Sequence, residues 1–192
     1  MSKRRVKKVV GKADSVERLR KALAKSARDD LVDILVELAR DDRNLFRQLG
    51  ERFKLEVPPE ELATAARLAI ADATDFDERE INRNFSYDYA AYDEVKRNLS
   101  RLVELGQLPV AMELSLELMK QGSYQVEMSD EGLMTADIEE CLAVVVKAIK
   151  KSDLPPADMI AWCDRLLKAD RAGYVYRKEL QTLRADVLAS RS

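Results

Sequence analysis

Helix-breaking residues are scarce along this chain, and their scarcity restricts the folds open to it. Glycine occurs six times and proline five times in 192 residues. Between these breaks, apolar residues recur at i, i+3, i+4 and i+7, as they do at Leu31, Ile34, Leu35 and Leu38. That spacing places the four side chains on one face of an α-helix, and most of the remaining residues are good helix formers. The sequence therefore predicts an all-α fold.

Prolines and glycines mark where the predicted helices begin and end. The Pro-Pro pairs at residues 58–59 and 155–156 suit the first turn of a helix, where a missing N–H costs no hydrogen bond. Gly106 is predicted to end one helix in left-handed backbone geometry, and Gly122 is predicted to end the next. These breaks indicate about eight or nine helices joined by short connections.

The predicted helices resemble one another along the chain. The segments VPPEELATAARLAIAD and LPPADMIAWCDRLLKAD share a Pro-Pro pair, an acidic residue within the next two positions, and a similar length. Such self-similarity favours stacked antiparallel helical hairpins in a solenoid-like array, with an irregular helical bundle as the alternative. We expect residues 1–12 to form a flexible basic arm and residues 13–192 to form a single all-α domain.

One of the predicted hairpins resembles a known family. The stretch LVELGQLPVAMELSLELMKQG is similar to tetratricopeptide-like hairpins in its apolar spacing, in Gly106, and in Ala111 and Leu114 on the second helix. A strict period of about 34 residues is missing. Together with DDLVDILVELARDDRNLFRQL and DEGLMTADIEECLAVVVKAI, the order of elements over residues 28–175 also resembles uncharacterised bacterial helical-repeat regions found beside SWIM zinc fingers. The resemblance implies an interaction scaffold without catalytic residues, and two cysteines with no histidine cannot build the zinc finger itself.

The composition excludes most catalytic chemistry. The chain has no histidine, which removes His-dependent general bases, Ser/His and Cys/His nucleophiles, and His-ligated metals. No two glycines are closer than ten residues, so neither a P-loop nor a GxGxxG motif can be present. We therefore expect that the protein is not an enzyme and has neither a cofactor nor a metal site. Cys141 and Cys163 lie in apolar helical patterns and are expected to be buried, reduced thiols.

The stretch EMSDEGLMTADIEEC, residues 127–141, comes nearest to a metal-binding motif. With Gly132 at the sixth position of an EF-hand loop, Ile138 falls at the twelfth, where calcium requires the two oxygens of a glutamate. The segment is better explained as a turn. Glycine permits a positive φ there, and Thr135 and Asp137 could cap the helix that follows.

Apolar runs are short throughout the chain. The longest, CLAVVV, has six residues, whereas a membrane-spanning helix needs about 20. The first residues do not resemble a signal peptide, because they are basic and lack an apolar stretch. We expect a cytoplasmic protein without a membrane contact.

Charge is distributed unevenly along the chain. Residues 1–28 carry eleven basic and two acidic residues, whereas residues 56–94 carry eleven acidic and three basic residues. A basic arm that leads into a basic helix is typical of nucleic-acid binding. The side chains that would contact phosphates are Lys3, Arg4, Arg5, Lys7, Lys8, Lys12 and Arg18.

The acidic segment also holds five of the eleven aromatic residues. Aromatic side chains are enriched at the centres of protein interfaces, and Phe85, Tyr89 and Tyr92 are predicted to share one helix face. Core packing of these rings is the alternative. We predict a non-catalytic protein–protein adaptor of unassigned oligomeric state that binds a basic peptide here, and a nucleic-acid-associated accessory protein is the alternative function. The predicted partner site consists of Phe76, Phe85, Tyr87, Asp88, Tyr89, Tyr92, Asp93 and Glu94.

Overall fold

The structure of the chain is a computed structural model that describes residues 12–53, 55 and 57–189. Ten α-helices and no β-strand occur in these residues, which confirms the all-α prediction. No helix within the described ranges combines the length and the apolar character needed to cross a membrane.

The internal contacts divide the chain into two compact units, residues 1–56 and residues 57–192. The predicted arm, residues 1–12, lies outside the described residues except for Lys12, and the single domain at residues 13–192 stays a prediction. The first unit contains α1 (Lys12–Leu23), α2 (Arg28–Asp41) and α3 (Arg43–Phe53). The second unit contains α4 (Pro59–Thr74), α5 (Glu78–Asn84), α6 (Tyr89–Glu104), α7 (Leu108–Glu127), α8 (Thr135–Ile149), α9 (Pro156–Ala169) and α10 (Arg177–Ala189).

The first unit contains a helical hairpin in which α2 packs against α3. Asp42 begins α3, and its carboxylate accepts a hydrogen bond from the backbone N–H of Leu45 at 3.1 Å. This bond satisfies one of the N–H groups that a helix leaves unpaired in its first turn. Among the described side chains of this unit only Ala39 is buried, so the unit holds very little apolar core of its own.

The second unit has a continuous apolar core. Helix α4 packs against α6 and α7, and both of these pack against α8. Helix α7 also contacts α9, which pairs with α10. Fully buried side chains such as Leu99, Leu114, Leu142 and Leu166 fill the space between these helices. Whether the helices form a regular hairpin array stays a prediction.

Gly106 ends α6 as predicted, with a φ of 74°. The N–H of Gln107 donates to the carbonyl of Leu102 at 2.9 Å, and the N–H of Gly106 donates to that of Val103 at 3.0 Å. These two bonds form a Schellman motif, which uses a glycine because left-handed geometry carries no side-chain penalty there.

Gly122 does not end a helix, so this prediction was wrong. Helix α7 continues to Glu127, and Gly122 lies buried in its interior. A Cβ atom on this glycine would lie 2.8 Å from Cδ1 and 3.1 Å from Cγ1 of Ile138 in α8. The glycine therefore serves the close approach of α7 and α8, a tertiary requirement that outweighs its poor helix propensity.

The connection at residues 128–134 forms the predicted turn, and Gly132 has a φ of 59°. The Ser129 hydroxyl accepts a hydrogen bond from the N–H of Gly132 at 3.1 Å, and the Thr135 hydroxyl donates to the carbonyl of Gly132 at 2.7 Å. The predicted caps were wrong, because Met134 occupies the N-cap position of α8 without a side-chain bond. Thr135 is instead the first residue of the helix, and its hydroxyl bonds backward into the turn.

Candidate functional site

The connection between α5 and α6 is set by two capping aspartates and one left-handed residue. Asp77 accepts hydrogen bonds from the N–H groups of Arg79 at 2.7 Å and Glu80 at 3.3 Å, which begins α5. Phe85 ends that helix with a φ of 53°. Asp88 then accepts a hydrogen bond from the N–H of Ala91 at 3.0 Å and begins α6. The two caps fix the helix starts on either side of Phe85.

This local geometry overturns the prediction that Phe85, Tyr89 and Tyr92 share a helix face. Phe85 lies outside α6, because its left-handed backbone ends α5. Tyr89 is the first residue of α6, and Tyr92 points into the core with 1% of its surface exposed. The predicted aromatic group is therefore divided between the surface and the interior.

The exposed part of the predicted site consists of two aromatic rings and two carboxylates. Phe85 exposes 59% of its surface and Tyr89 exposes 67%. Asp88 and Asp93 are exposed near them in the chain, and Glu94 is half-buried. We call Phe85, Asp88, Tyr89 and Asp93 the acidic aromatic surface. Phenylalanine is among the residues most often buried in proteins, so the exposed Phe85 ring leaves apolar area open to a partner.

Tyr92 belongs to a buried hydrogen-bonded chain that links three helices. Its hydroxyl donates to Oε1 of Gln125 in α7 at 2.5 Å. The side-chain amide of Gln125 in turn donates to the carbonyl of Ala73 in α4 at 3.3 Å. Burial raises the pKa of Tyr92 well above its usual range, so its hydroxyl remains a donor. The role of this residue is structural.

Tyr87 lies between the surface and the core. Its ring meets that of Tyr92 edge to face, with centroids 6.2 Å apart. Its hydroxyl donates to the carboxylate of Asp137 in α8 at 2.6 Å. Burial, together with the bond to this carboxylate, raises the pKa of Tyr87 to about 12. Tyr87 therefore anchors the α5–α6 connection to α8.

Phe76 lines a separate groove of about 350 Å³ that also involves Tyr124 and Arg171. The Phe76 and Tyr124 rings pack edge to face with centroids 5.8 Å apart. The guanidinium carbon of Arg171 lies 4.2 Å from the centre of the Tyr124 ring, and this arginine pairs with Glu127 at 2.8 Å. Sequence reasoning missed Tyr124 and Arg171, because they lie 48 and 95 positions from Phe76 and carry no local signal.

The electrostatics of residues 75–94 are strongly negative. Seven acidic residues stand against Arg79 and Arg83. In the described part of the chain, no ion pair involves a carboxylate of this segment. Carboxylates without ion partners create a negative potential that attracts cationic ligands.

The residues of the alternative, nucleic-acid-binding prediction lie at the start of the chain. Lys3, Arg4, Arg5, Lys7 and Lys8 lie outside the described residues. Lys12 is the first residue of α1, and its side chain lies outside the described part as well. Arg18 is exposed on α1.

Both cysteine side chains lie in the interior of the second unit. Cys141 and Cys163 are free and buried, as predicted. Burial raises the pKa of Cys141 to about 12 and that of Cys163 to about 11, which keeps both protonated and unreactive at neutral pH. Within the described ranges, no group of three or more Cys, Asp or Glu side chains is placed to hold a metal ion.

Comparison with known proteins finds no relative of this chain. No protein-family model matches it, and neither a curated protein nor a solved structure is significantly similar to it. The resemblance to tetratricopeptide-like and SWIM-associated helical repeats therefore stays a prediction.

Proposed function

We propose that this chain is a non-catalytic protein–protein adaptor of the cytoplasm, and that its acidic aromatic surface binds a basic segment of a partner protein. The observation that carries the proposal is the exposure of Phe85 and Tyr89 beside carboxylates that lack ion partners. The buried free thiols are consistent with a reducing compartment.

Both the aliphatic stem and the charged end of a lysine or arginine side chain suit this surface. Their aliphatic stems can lie along the exposed rings while their charged ends reach the carboxylates. A cation above an exposed aromatic ring contributes about 0.5–1 kcal/mol. Negative charge around the rings also accelerates encounter with a basic segment and disfavours acidic partners, nucleic acid included.

Fluorescence anisotropy with a labelled peptide of alternating lysine and arginine tests the proposal. The double variant Phe85→Ala/Tyr89→Ala should bind the peptide about 10-fold more weakly at low salt, because two ring contacts are lost. Tyr174→Ala is the matched control, since Tyr174 is a similarly exposed tyrosine in the connection before α10. Absence of binding by the unaltered chain, or an equal loss in the control, would contradict the proposal.

A nucleic-acid-associated function is the second candidate, and the exposed basic side chains of α1 favour it. Arg18, Arg20 and Lys21 are all exposed there and follow the basic arm in the chain. Six phosphate contacts from the arm would give a log–log salt slope of about −5 with duplex DNA. Binding of duplex DNA with that slope, lost on removal of residues 1–12, would support this candidate over the first.

A further inference from the structure

The first unit presents an apolar surface that is separate from the acidic aromatic surface. An inference from this apolar surface is independent of the proposed function. All three helices of this unit expose large apolar side chains. Examples are Val16 and Leu19 in α1, Val36 in α2, and Phe53, which exposes 66% of its surface, in α3. We call the exposed large apolar side chains of α1, α2 and α3, together with Leu55, the α1–α3 apolar surface.

Helix α2 has more apolar surface than one neighbouring helix can cover. Its apolar residues at positions 31, 32, 34, 35, 36, 38 and 39 span an arc of about 200° at 3.6 residues per turn. A helix that packs on one side alone has an apolar stripe of about 100°. Helix α3 packs against α2, yet Val32, Ile34 and Leu38 remain about half exposed. Helix α3 alone therefore does not cover the apolar arc of α2.

The α1–α3 apolar surface is large enough for a stable interface. Eleven large apolar side chains between Val16 and Leu55 are exposed. Side chains of this kind, each about half exposed, together present about 500 Å² of apolar area. The apolar part of a standard homodimer interface is of the same size, about 500 Å² on each copy. The summed apolar area is therefore that of one side of a standard interface.

The charges beside these side chains indicate what covers them. Helix α2 carries five acidic and two basic residues, for a net charge of −3, and α1 carries four basic and two acidic residues, for a net charge of +2. A nucleic acid or an anionic lipid surface would attract α1 but repel α2. A second copy of the chain satisfies both helices, because a twofold contact repeats each pairing.

We propose that the α1–α3 apolar surface is the self-association surface of this protein, with α2 of one copy lying against α1 of a second copy in a twofold-symmetric pair. Helix α3 already packs against α2 within the chain. Helix α1 carries a net positive charge and exposes Val16, Leu19 and Leu23, so in the second copy it complements α2 in both charge and apolar surface.

Sedimentation velocity of the full chain over a concentration series tests the pair. The unaltered chain should sediment as a dimer, and Val32→Gln/Val36→Gln should raise its dissociation constant about 100-fold or more, because four apolar side chains are lost per dimer. Glutamine is at least as good a helix former as valine, so far-ultraviolet circular dichroism should be unchanged. Leu68→Gln, at an exposed leucine of α4, is the matched control and should leave the dimer intact. A chain that stays monomeric at every concentration, or a dimer that withstands the double substitution, would overturn the proposal.

Charge reversal separates a second copy from every other occupant. Asp33→Lys/Glu37→Lys changes the net charge of α2 from −3 to +1, and Arg20→Glu/Lys21→Glu changes that of α1 from +2 to −2. Each variant alone should be weakened as a dimer, since like charges then meet. Mixed in equal amounts, the two should form a heterodimer in which opposite charges meet twice. A mixture that remains as unassociated as the separate variants would refute the α1–α2 pairing.

Discussion

The contact between α7 and α8 at Gly122 makes a quantitative prediction. At an exposed position within a helix, replacing glycine by alanine raises the free energy of unfolding by about 1 kcal/mol. At Gly122 the added Cβ would lie 2.8 Å from Cδ1 of the fully buried Ile138, and overpacking of a filled core costs about 1–3 kcal/mol. The cost of overpacking exceeds the gain in helix propensity. Gly122→Ala should therefore lower the free energy of unfolding by about 1 kcal/mol and the Tm by about 4 °C.

A double-mutant cycle isolates the responsible atom. Ile138→Val removes Cδ1, and alone it should cost about 1 kcal/mol. Combined with Gly122→Ala, it should leave the protein at least as stable as Ile138→Val alone, because the alanine methyl then fills released space. Gly50→Ala in α3 is the matched control, since its Cβ would meet only Leu55 at 3.8 Å or more. Urea unfolding of the unaltered chain, the two single variants and the double variant measures the coupling between residues 122 and 138. Additive effects, or a Gly122→Ala variant more stable than the unaltered chain, would refute the reasoning.

Three further predictions concern fully or partly buried polar groups of the second unit. Tyr92→Phe should lower the free energy of unfolding in urea by about 2 kcal/mol, because it leaves the buried Oε1 of Gln125 without its donor. An effect near zero would contradict the role given to the hydrogen bonds from Tyr92 through Gln125 to Ala73. Because the folded pKa of Tyr87 is raised from 10 to about 12, its bond to Asp137 stabilises fully below pH 10 and less as pH rises towards 12. The Tm difference between the unaltered chain and Tyr87→Phe should therefore shrink between about pH 10 and about pH 12. A Tm difference that stays constant over this range would contradict a contribution of this hydrogen bond to stability. The Cys141 thiol should react with a disulfide reagent only after unfolding, whereas fast labelling of the native protein would show that it is accessible.

Local signals in the sequence were sufficient for much of the fold. The end of α6 could be predicted at Gly106, because a Schellman motif depends on a few consecutive residues. The same reasoning failed at Gly122, where the requirement comes from Ile138 on another helix. A local rule cannot distinguish a glycine that ends a helix from one that admits a neighbour.

The candidate site was predictable only in part, for the same physical reason. The acidic and aromatic character of the segment could be predicted from composition, whereas the exposure of Phe85 and Tyr89 is known only from the structure. The separation of Phe85 from α6 depends on its left-handed backbone, which helical periodicity alone does not reveal. The groove around Phe76 joins residues from three distant parts of the chain. The apolar excess of α2 was visible in the sequence, but its exposure became evident only from the packing.

The most direct test of the adaptor function is an NMR titration of the isotope-labelled chain with the alternating lysine–arginine peptide. The proposed function predicts that the backbone amides of residues 85–94 shift most, in a saturable and salt-sensitive manner. Phe85→Ala/Tyr89→Ala should reduce these shifts, and Tyr174→Ala should not. Shifts concentrated elsewhere in the chain, or none at peptide concentrations far above that of the protein, would contradict the acidic aromatic surface as the binding site.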